Sequence, residues 1–354
     1  MGSGHQSAGV VVVTGVSRYL GAHVAERLRA DPRVAHVIGL DAAPPPADLA
    51  PLLDGVELVH VDLTRLTTVI DHLAAQTVVH LGVITAPDPS AGGRAAMKEQ
   101  NVIGTMRLLA ACQQAPRLRK LVVRSSTAAY GASFRDPAVF TEDAEPLEVP
   151  RGGFARDILD IEGYVRGFRR RRTDVTTTVL RLAPLIGSAA DTTLTRYFTQ
   201  PVVPTVLGRD PRLQFIHVDD ALDILHRAVV EDHPGTYNVA GAGALTLSQA
   251  IRRAGRIAVP VPEQALSAVA ATARRFGRQG PAFDQLDLFV HGRVVDTGRL
   301  VTEFGVTPRT TAEAFADFLR ANRGRAPLAR GRVLAAERAL LTVRERIRSA
   351  RGTG

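Results

Sequence analysis

One segment near the start of the chain limits its fold more than any other: an apolar run that passes directly into a glycine-containing turn. The run covers residues 10–13, the turn covers residues 14–21, and Ala22, Ala25 and Leu28 then recur at helical spacing. A buried strand that ends in such a turn directs backbone N–H groups, and the positive end of the following helix, toward a pyrophosphate. The segment therefore predicts the first strand and helix of a dinucleotide-binding fold.

Short β-branched and apolar runs alternate with helical patterns along the first half of the chain. The runs lie at residues 36–40, 56–61, 77–81, 121–123 and 176–182. Strands separated by helices are typical of βαβ units, so we expect an α/β fold with a Rossmann-type doubly wound parallel sheet. Right-handed crossovers place the carboxyl ends of such strands along one edge, where ligands bind.

The same patterns divide the 354 residues into four regions. We expect a disordered lead at 1–8 and the Rossmann domain at 9–185. A smaller C-terminal substrate lobe follows at 186–325, from which 215–235 returns to the main domain, with 215–218 as a strand of the main sheet.

Residues 326–354 are expected to hold an appended, basic amphipathic tail helix. Its apolar stripe consists of Val333, Ala336, Leu340, Val343 and Ile347. This helix packs on its own domain or on a second subunit, or it lies on an anionic membrane surface.

The composition excludes some classes of protein. A single cysteine, Cys112, excludes an intramolecular disulfide and a cysteine-built metal cluster, and we expect no metal site. The chain has no run of 18 apolar residues and no apolar signal core, so we expect a cytoplasmic protein, peripheral at the membrane if its tail binds there. The net charge of +9 comes from scattered arginines, and the tail has no aromatic residue, so nucleic acid is the least favoured partner.

An acidic residue follows the turn at the distance that dinucleotide binding requires. Asp41 ends the second predicted strand, where a carboxylate accepts hydrogen bonds from the adenosine ribose hydroxyls. A carboxylate at this place also repels a 2′-phosphate, which favours NAD over NADP as the cofactor.

Several motifs spread over residues 9–320 are similar to those of a known family. The turn reads T-G-V-S-R-Y-L-G, and later segments read N-V-I-G-T at 101–105, S-S-T-A-A-Y-G at 125–131 and F-I-H-V-D-D at 215–220. Together they resemble the extended short-chain dehydrogenase/reductases of the NAD-dependent epimerase/dehydratase family, and most of all its actinobacterial UDP-glucose 4-epimerase-like members. The resemblance implies cofactor contacts by Gly15, Val16, Ser17, Arg18, Tyr19, Leu20, Gly21, Asp41, Asp62, Leu63, Leu81, Gly82, Val83, Asn101 and Pro184.

One position of the turn departs from the family pattern, which is T-G-x-x-G-x-x-G. Arg18 stands where the family has its middle glycine. A side chain here either crowds the phosphates, since glycine lets the backbone approach them closely, or pairs its guanidinium with a phosphate of the cofactor. If the cofactor is NADP, that phosphate is the 2′-phosphate.

The resemblance also implies a catalytic serine, tyrosine and lysine, the last two in a Y-x-x-x-K segment on one helix face. Ser126 matches the serine, and Tyr130 follows it four residues later. With Glu162 as the family's helix glutamate, Phe154 and Ile158 stand in place of the tyrosine and lysine. No tyrosine of the chain has a lysine four residues after it, so no other register restores the pair.

Two interpretations of this departure are open. The protein is an epimerase, dehydratase or reductase with displaced catalytic groups, for which Ser126, Tyr130, Arg156 and Asp157 are the candidates. Otherwise it is a catalytically silent dinucleotide-binding sensor or scaffold that uses its tail helix for a partner or a membrane surface. Removal of one general acid or base commonly lowers a rate by about 10²–10⁴, which argues against the standard mechanism.

The substrate side of the family pattern is altered as well. Nucleotide-sugar members have an arginine where this chain has Leu213. The residues expected to contact a substrate are Thr192, Thr193, Arg196, Arg209 and Arg212. The resemblance implies a nucleotide sugar as the small-molecule ligand, and a homodimer formed through helices around residues 95–114 and 156–170.

Overall fold

The computed structural model describes residues 9–61, 69–70, 72–150, 153–263 and 286–322. Two of the expected cofactor-binding residues, Asp62 and Leu63, lie outside these ranges, as do the lead at 1–8 and the expected tail helix. The strands are β1 (Gly9–Thr14), β2 (Val34–Asp41), β3 (Glu57–His60), β4 (Thr77–His80), β5 (Lys120–Ser126), β6 (Thr176–Leu182), β7 (Leu185–Ile186), β8 (Val202–Val206), β9 (Arg212–Leu213), β10 (Ile216–His217), β11 (Gly235–Val239), β12 (Leu245–Thr246) and β13 (Ile257–Val261).

Helices follow most of the longer strands. They are α1 (Tyr19–Arg29), α2 (Gly93–Lys98), α3 (Thr105–Gln114), α4 (Gly153–Arg171), α5 (Thr193–Thr199), α6 (Val218–Val230), α7 (Leu247–Arg253), α8 (Leu286–His291), α9 (Gly298–Glu303) and α10 (Thr311–Ala321). A π-helical turn, Glu99–Gly104, joins α2 to α3. Among the described residues, no helix is both long and apolar enough to cross a membrane.

Seven parallel strands form the central sheet, in the order β11-β6-β5-β4-β1-β2-β3. The strand order reverses between β1 and β4, and ligands of doubly wound sheets bind at such a switch point. Val11, Val12 and Val13 of β1 have no exposed surface, as expected for a strand that is covered on both faces. The predicted Rossmann-type α/β fold is confirmed.

One strand assignment was wrong. Residues 215–218 were predicted to join the main sheet, but β10 pairs with β7 in a separate two-stranded sheet. The segment cannot extend further because α6 begins at Val218, directly after the two paired residues. The seventh strand of the central sheet is β11, whose five residues pair in parallel with β6.

The chain divides into two compact units. The first, called the Rossmann unit below, contains the central sheet and takes in Met1–Ala183, Asp219–Ala240 and Val295–Pro308. The second unit takes in Pro184–Val218, Gly241–Val294 and Arg309–Gly354.

Aromatic rings form the core of the second unit. Phe198 makes edge-to-face contacts with Phe215 and Phe315, with ring centroids 6.5 and 5.0 Å apart. Tyr197 lies against Phe289 at a centroid distance of 4.5 Å. Each ring buries a large apolar area, which stabilises a unit whose strands contain only two to five residues.

In the Rossmann unit, His80 links β4 to β1 and to α3. Its Nδ1 lies 2.8 Å from Oγ1 of Thr14, and its Nε2 lies 2.8 Å from Oγ1 of Thr105. Thr105 donates its own hydroxyl proton to the carbonyl oxygen of Asn101 at 2.5 Å, so it accepts a bond from Nε2, and Nδ1 accepts one from Thr14. This arrangement holds a neutral ring, and burial lowers the pKa of His80 to about 4.

We expect His80 to make the protein less stable as the pH falls. Its pKa drops from an ordinary 6.5 to about 4 on folding, so the unfolded chain binds a proton more readily. The stabilisation is complete at pH values above the pKa that His80 has in the unfolded chain. About 3 kcal/mol of the free energy of unfolding is lost as the pH falls to about 4. Urea unfolding of the wild type and His80→Gln between pH 7.5 and 4 measures this slope. The exposed His36→Gln is the control, and equal slopes for wild type and His80→Gln would contradict the assignment.

A buried ion pair fixes α4 on the central sheet. Arg181 of β6 donates to the carboxylate of Glu162 at 2.9 and 2.7 Å, and Ser125 of β5 donates to the same carboxylate at 2.5 Å. Arg181 also donates to the hydroxyl of Tyr130 and to the carbonyl of Glu142, each at 2.9 Å. The pair is almost fully shielded from water, with side chains 10% and 5% exposed, so these bonds fix the register of α4 against β5 and β6.

Glu162→Gln is expected to lower the free energy of unfolding by about 3–5 kcal/mol, because it leaves the buried guanidinium of Arg181 without its counter-charge. The matched control is Asp160→Asn, which removes the partner of Arg156 on the outer face of the same helix. Loss of that more exposed pair is expected to cost less than about 1 kcal/mol. Urea unfolding midpoints measure both changes, and equal midpoints would refute the special role of Glu162.

Candidate functional site

The turn between β1 and α1 leaves no room for side chains at its two glycines. A Cβ atom on Gly15 would lie 2.6 Å from the Cα atom of Gly82, and Gly15 has a φ of +79°. A Cβ atom on Gly21 would lie 2.1 Å from the carbonyl oxygen of Gly15. Both positions therefore require glycine, and such a turn brings backbone N–H groups and the start of a helix close to a bound phosphate.

Arg18 adopts its place in the turn without backbone strain. It precedes α1 with a φ of −118° and a ψ of 156°, an extended conformation that any residue adopts. Its Nε atom is buried and has no hydrogen-bond partner among the described residues. Burial lowers the pKa of Arg18, and the charge of Asp41 partly opposes this shift. The turn thus does not need the family's middle glycine, and the guanidinium retains unused hydrogen-bonding capacity.

Asp41 ties the end of β2 to the turn. Its Oδ2 accepts hydrogen bonds from the backbone N–H and the hydroxyl of Ser17, at 3.0 and 2.6 Å. Its Oδ1 accepts one from the N–H of Ala42 at 2.8 Å. Oδ1 also accepts a longer bond from the N–H of Ala43 at 3.5 Å, so Oδ1 is the oxygen that can accept from a ribose hydroxyl in its place. The residues present therefore fit the adenosine and diphosphate parts of NAD.

The other residues expected to contact the cofactor around the turn pack against the protein interior or against a neighbouring ring. Val16, Leu20 and Leu81 are buried, so their side chains give the site its shape. Tyr19 begins α1 and stacks on His23, with ring centroids 4.1 Å apart. Polar contacts with a cofactor at Val16, Leu20 and Leu81 would come from backbone atoms.

The loop after β4 lies against the turn through Gly82, and two polar side chains hold its backbone. Asn101 accepts from the N–H of Ile84 at 2.7 Å and donates to its carbonyl at 2.9 Å. Arg124 of β5 donates from Nη1 to the carbonyl of Val83 at 2.9 Å. Asn101 thus shapes the loop from behind. Sequence reasoning did not single out Arg124, because its only signal was its place before the two serines.

The two weak catalytic candidates lie in different environments. Ser126 is half-buried at the end of β5, and its Oγ accepts from the N–H of Ala128 at 3.2 Å, so its hydroxyl proton is available to a ligand. Tyr130 is buried and donates to Oδ1 of Asn238 at 2.6 Å while it accepts from Arg181 at 2.9 Å. Burial also raises the pKa of Tyr130. Its phenol is therefore poorly placed to exchange a proton with a ligand.

Phe154 and Ile158 belong to the apolar core of the Rossmann unit. They are 6% and 0% exposed and lie in the same buried cluster as Val83 and Met97. Glu162, one helical turn after Ile158, makes the buried contacts to β5 and β6 described above. The first turns of α4 therefore present hydrocarbon side chains at these two positions.

The charged candidates on α4 already have partners. Asp157, which is fully buried, accepts from Nη1 and Nη2 of Arg94 at 2.7 and 2.5 Å and from Nδ2 of Asn101 at 3.1 Å. Arg156 pairs with Asp160 on the next turn of the helix at 3.1 Å. Sequence reasoning named Asp157 but missed Arg94, because the two are 63 residues apart and no local pattern connects them.

The lysines of the chain lie elsewhere. Lys120 begins β5, whereas Ser126 ends it, which separates the two by roughly 20 Å along the strand. The ammonium of Lys120 donates to the carbonyls of Val229 and Glu231 at 2.9 Å each. Lys98 is exposed at the end of α2.

The expected substrate residues belong to the second unit. Thr192 caps α5 by accepting from the N–H of Thr195 at 3.2 Å, and Thr193 is the first residue of that helix. Arg196 pairs with Asp191 through two bonds of 2.6 Å and borders a pocket of about 350 Å³. Arg209 and Arg212 are exposed. The carbonyl of Pro184, expected near the cofactor, accepts from the N–H of Ile216 at 3.2 Å.

Comparison with known proteins gives matches in sequence and in fold. The model of the NAD dependent epimerase/dehydratase family matches residues 11–240. The uncharacterized protein Rv0501 of Mycobacterium tuberculosis is 45% identical over 322 residues, which are 90% of this chain and 85% of that protein.

Solved structures share the fold at low sequence identity. MoeE5 in complex with UDP-glucose and NAD has a TM-score of 0.63 and 22% identity, covering 89% of this chain and 98% of MoeE5. The UDP-glucose 4-epimerase of Thermotoga maritima with UDP-glucose has a TM-score of 0.66 and 17% identity, covering 89% of this chain and 99% of that enzyme. By its sequence, this chain belongs to the NAD-dependent epimerase/dehydratase family.

Proposed function

We propose that this protein binds NAD in its Rossmann unit, with a nucleotide sugar as second ligand, and does not use the tyrosine–lysine chemistry of its family. One observation carries the proposal. Phe154 and Ile158, at the positions that Glu162 assigns to the tyrosine and lysine, are buried in an apolar cluster. Neither a phenyl ring nor an alkyl side chain exchanges protons.

The cofactor half of the proposal is supported by the geometry of the turn. Gly15 and Gly21 allow the backbone to approach the diphosphate, and Asp41 has acceptor capacity for the adenosine ribose. NAD, when bound, supplies an acceptor for a hydride. The family's lysine also holds the nicotinamide ribose, and Ile158 offers no such bond.

Hydride transfer from a carbinol carbon requires that the attached hydroxyl lose its proton. Ser126 can orient that hydroxyl, but a serine without an adjacent base does not remove the proton at neutral pH. The hydroxyl of Tyr130 is engaged by Asn238 and Arg181, and Asp157 is engaged by Arg94. We therefore propose that the protein is a catalytically silent NAD-binding sensor or scaffold.

The nucleotide sugar is proposed from the ligands of solved structures that share this fold. MoeE5 and the Thermotoga maritima epimerase are described with UDP-glucose. In this chain, Arg209 and Arg212 lie exposed near Leu213, which is fully buried and carries no charge. A guanidinium binds phosphate oxygens through paired N–H donors, so these two arginines are the proposed contacts for the sugar nucleotide's phosphates.

Titration of the cofactor-stripped protein with NAD⁺ and NADH is expected to show binding in the micromolar range, while conversion of UDP-glucose stays at background. Loss of a general acid or base commonly lowers a rate by about 10²–10⁴, and this chain has lost both standard groups. Ser126→Ala is therefore expected to leave the measured conversion unchanged. The control is Ser90→Ala, an exposed serine in a different loop.

Two outcomes would contradict this proposal in different ways. Absence of binding to either nucleotide would refute the NAD site. Conversion that Ser126→Ala abolishes and Ser90→Ala preserves would refute the silent role and assign the chemistry to displaced groups around Ser126.

We also propose a homodimer formed through the helices around residues 95–114 and 156–170, on which Met106 and Tyr164 are partly exposed, at 39% and 36%. The tail at 326–354 is proposed to contact a partner protein or an anionic membrane surface, on its sequence pattern alone.

Deletion of residues 326–354 is expected to abolish binding to vesicles of anionic lipid if the membrane is the tail's target. Flotation of the full chain and the truncated chain with vesicles of phosphatidylserine and phosphatidylcholine measures this, and vesicles of phosphatidylcholine alone are the control. Equal flotation of the two chains would contradict the membrane role of the tail.

A further inference from the structure

Two arginines border one junction beside the glycine turn. Arg18 belongs to the turn, where its N–H donates to the carbonyl of Gly15 at 3.1 Å. Arg124 comes from β5 and donates to the carbonyl of Val83 at 2.9 Å. Because the backbone of Gly82, next to Val83, lies against Gly15, both arginines border the contact between the turn and the loop after β4.

The charges at this junction are not balanced. Within the described part of the chain, the Nε atom of Arg18 is buried without a hydrogen-bond partner, and Arg124 donates to a neutral carbonyl. Asp41 acts on Arg18, but its carboxylate already accepts bonds from Ser17 and Ala42. Burial and the positive charge of Arg18 lower the pKa of Arg124 to about 10. Arg18 and Arg124 carry two positive charges, and Asp41 acts on Arg18, so an excess positive charge remains that is costly to bury without a counter-ion.

We propose that Arg18 and Arg124 together bind the diphosphate of the dinucleotide, so that guanidinium contacts take the place of the close backbone approach at the family's middle glycine. A diphosphate is the anion that a dinucleotide brings to a glycine turn at a sheet switch point. Each guanidinium offers paired N–H donors that match phosphate oxygens, and the two negative charges of a diphosphate balance two arginines.

The strand order favours the diphosphate over a 2′-phosphate. The adenosine ribose is expected beside Asp41 at the end of β2, and that carboxylate repels a 2′-phosphate. Arg124 lies on β5, which β4 and β1 separate from β2 in the sheet. The three strand spacings between β2 and β5 amount to roughly 14 Å. The switch point at β1 and β4 lies between Asp41 on β2 and Arg124 on β5. A phosphate that both arginines contact therefore belongs to the diphosphate, which joins the two nucleosides of the cofactor.

The inference rests on the proposed NAD binding, and titration calorimetry separates the two. NADH, ADP-ribose and adenosine are titrated into the wild type, Arg18→Gln and Arg124→Gln. Each substitution is expected to weaken binding of NADH and ADP-ribose by about 10- to 100-fold, and to leave the affinity for adenosine unchanged, because only the first two ligands carry the diphosphate. Arg29→Gln, which changes an exposed arginine of α1, is the matched control and is expected to have no effect.

The outcomes are distinguishable. A wild type that binds neither NADH nor ADP-ribose refutes the proposed function and the inference with it. A wild type that binds both, with variants that bind equally well, refutes the inference alone. Tighter binding by Arg18→Gly shows that Arg18 crowds the site and overturns its role. A greater loss of affinity for NADPH than for NADH in the Arg18→Gln variant assigns that arginine to a 2′-phosphate and also overturns the proposal.

Thermal unfolding of the ligand-free variants separates a binding role of Arg124 from a structural one, because the two roles predict opposite changes in the unfolding midpoint. Arg124→Gln removes both a bond to the carbonyl of Val83 and an excess buried charge, and because the buried charge is the more costly, the midpoint is expected to stay equal to that of the wild type or to rise. A lower midpoint together with unchanged nucleotide affinity would mean that Arg124 serves only to hold the loop at Val83.

Discussion

The close contact between the backbones of Gly15 and Gly82 holds the ligand end of the central sheet together. No side chain fits between them, and the contact joins the turn after β1 to the loop after β4. Buried hydrogen bonds support both segments, through His80 at the end of β4 and through Asn101 behind the loop. A change at this contact would displace Val83, and with it the carbonyl that positions Arg124.

The buried polar groups of the Rossmann unit are arranged to hold helices in place. Arg181 and Glu162 fix α4 on β5 and β6, and Arg94 and Asp157 fix α2 on the second turn of α4. On the same helix, the side chains of Phe154 and Ile158 are apolar and buried. A helix anchored in this way gives rigidity to a binding site, whereas a catalytic helix must present at least one titratable group to its ligand. This contrast is the physical basis of the proposed silent role.

The sequence allowed prediction of those features that depend on local pattern. Buried parallel strands read as continuous apolar runs, so β1 and β6 were predicted to within one residue of their bounds. The requirement for glycine at Gly15 followed from the turn motif. The buried pairs Arg94–Asp157 and Arg181–Glu162 were not predictable, because tertiary packing alone brings such distant residues together. The sequence also left open whether Arg18 crowds the turn, and only its extended backbone shows that the residue itself is unstrained.

The excess positive charge at the glycine junction has a consequence for what ligand binding does in this protein. A ligand that binds only the folded state stabilises it by RT ln(1 + [L]/Kd), which is about 4 kcal/mol at a thousandfold excess over Kd. In an enzyme, part of the binding energy is used to stabilise a transition state. Under the proposed silent role, the energy gained when a dinucleotide neutralises Arg18 and Arg124 stabilises the folded state instead. Such a gain in stability on nucleotide binding is the property on which the proposed sensing role depends.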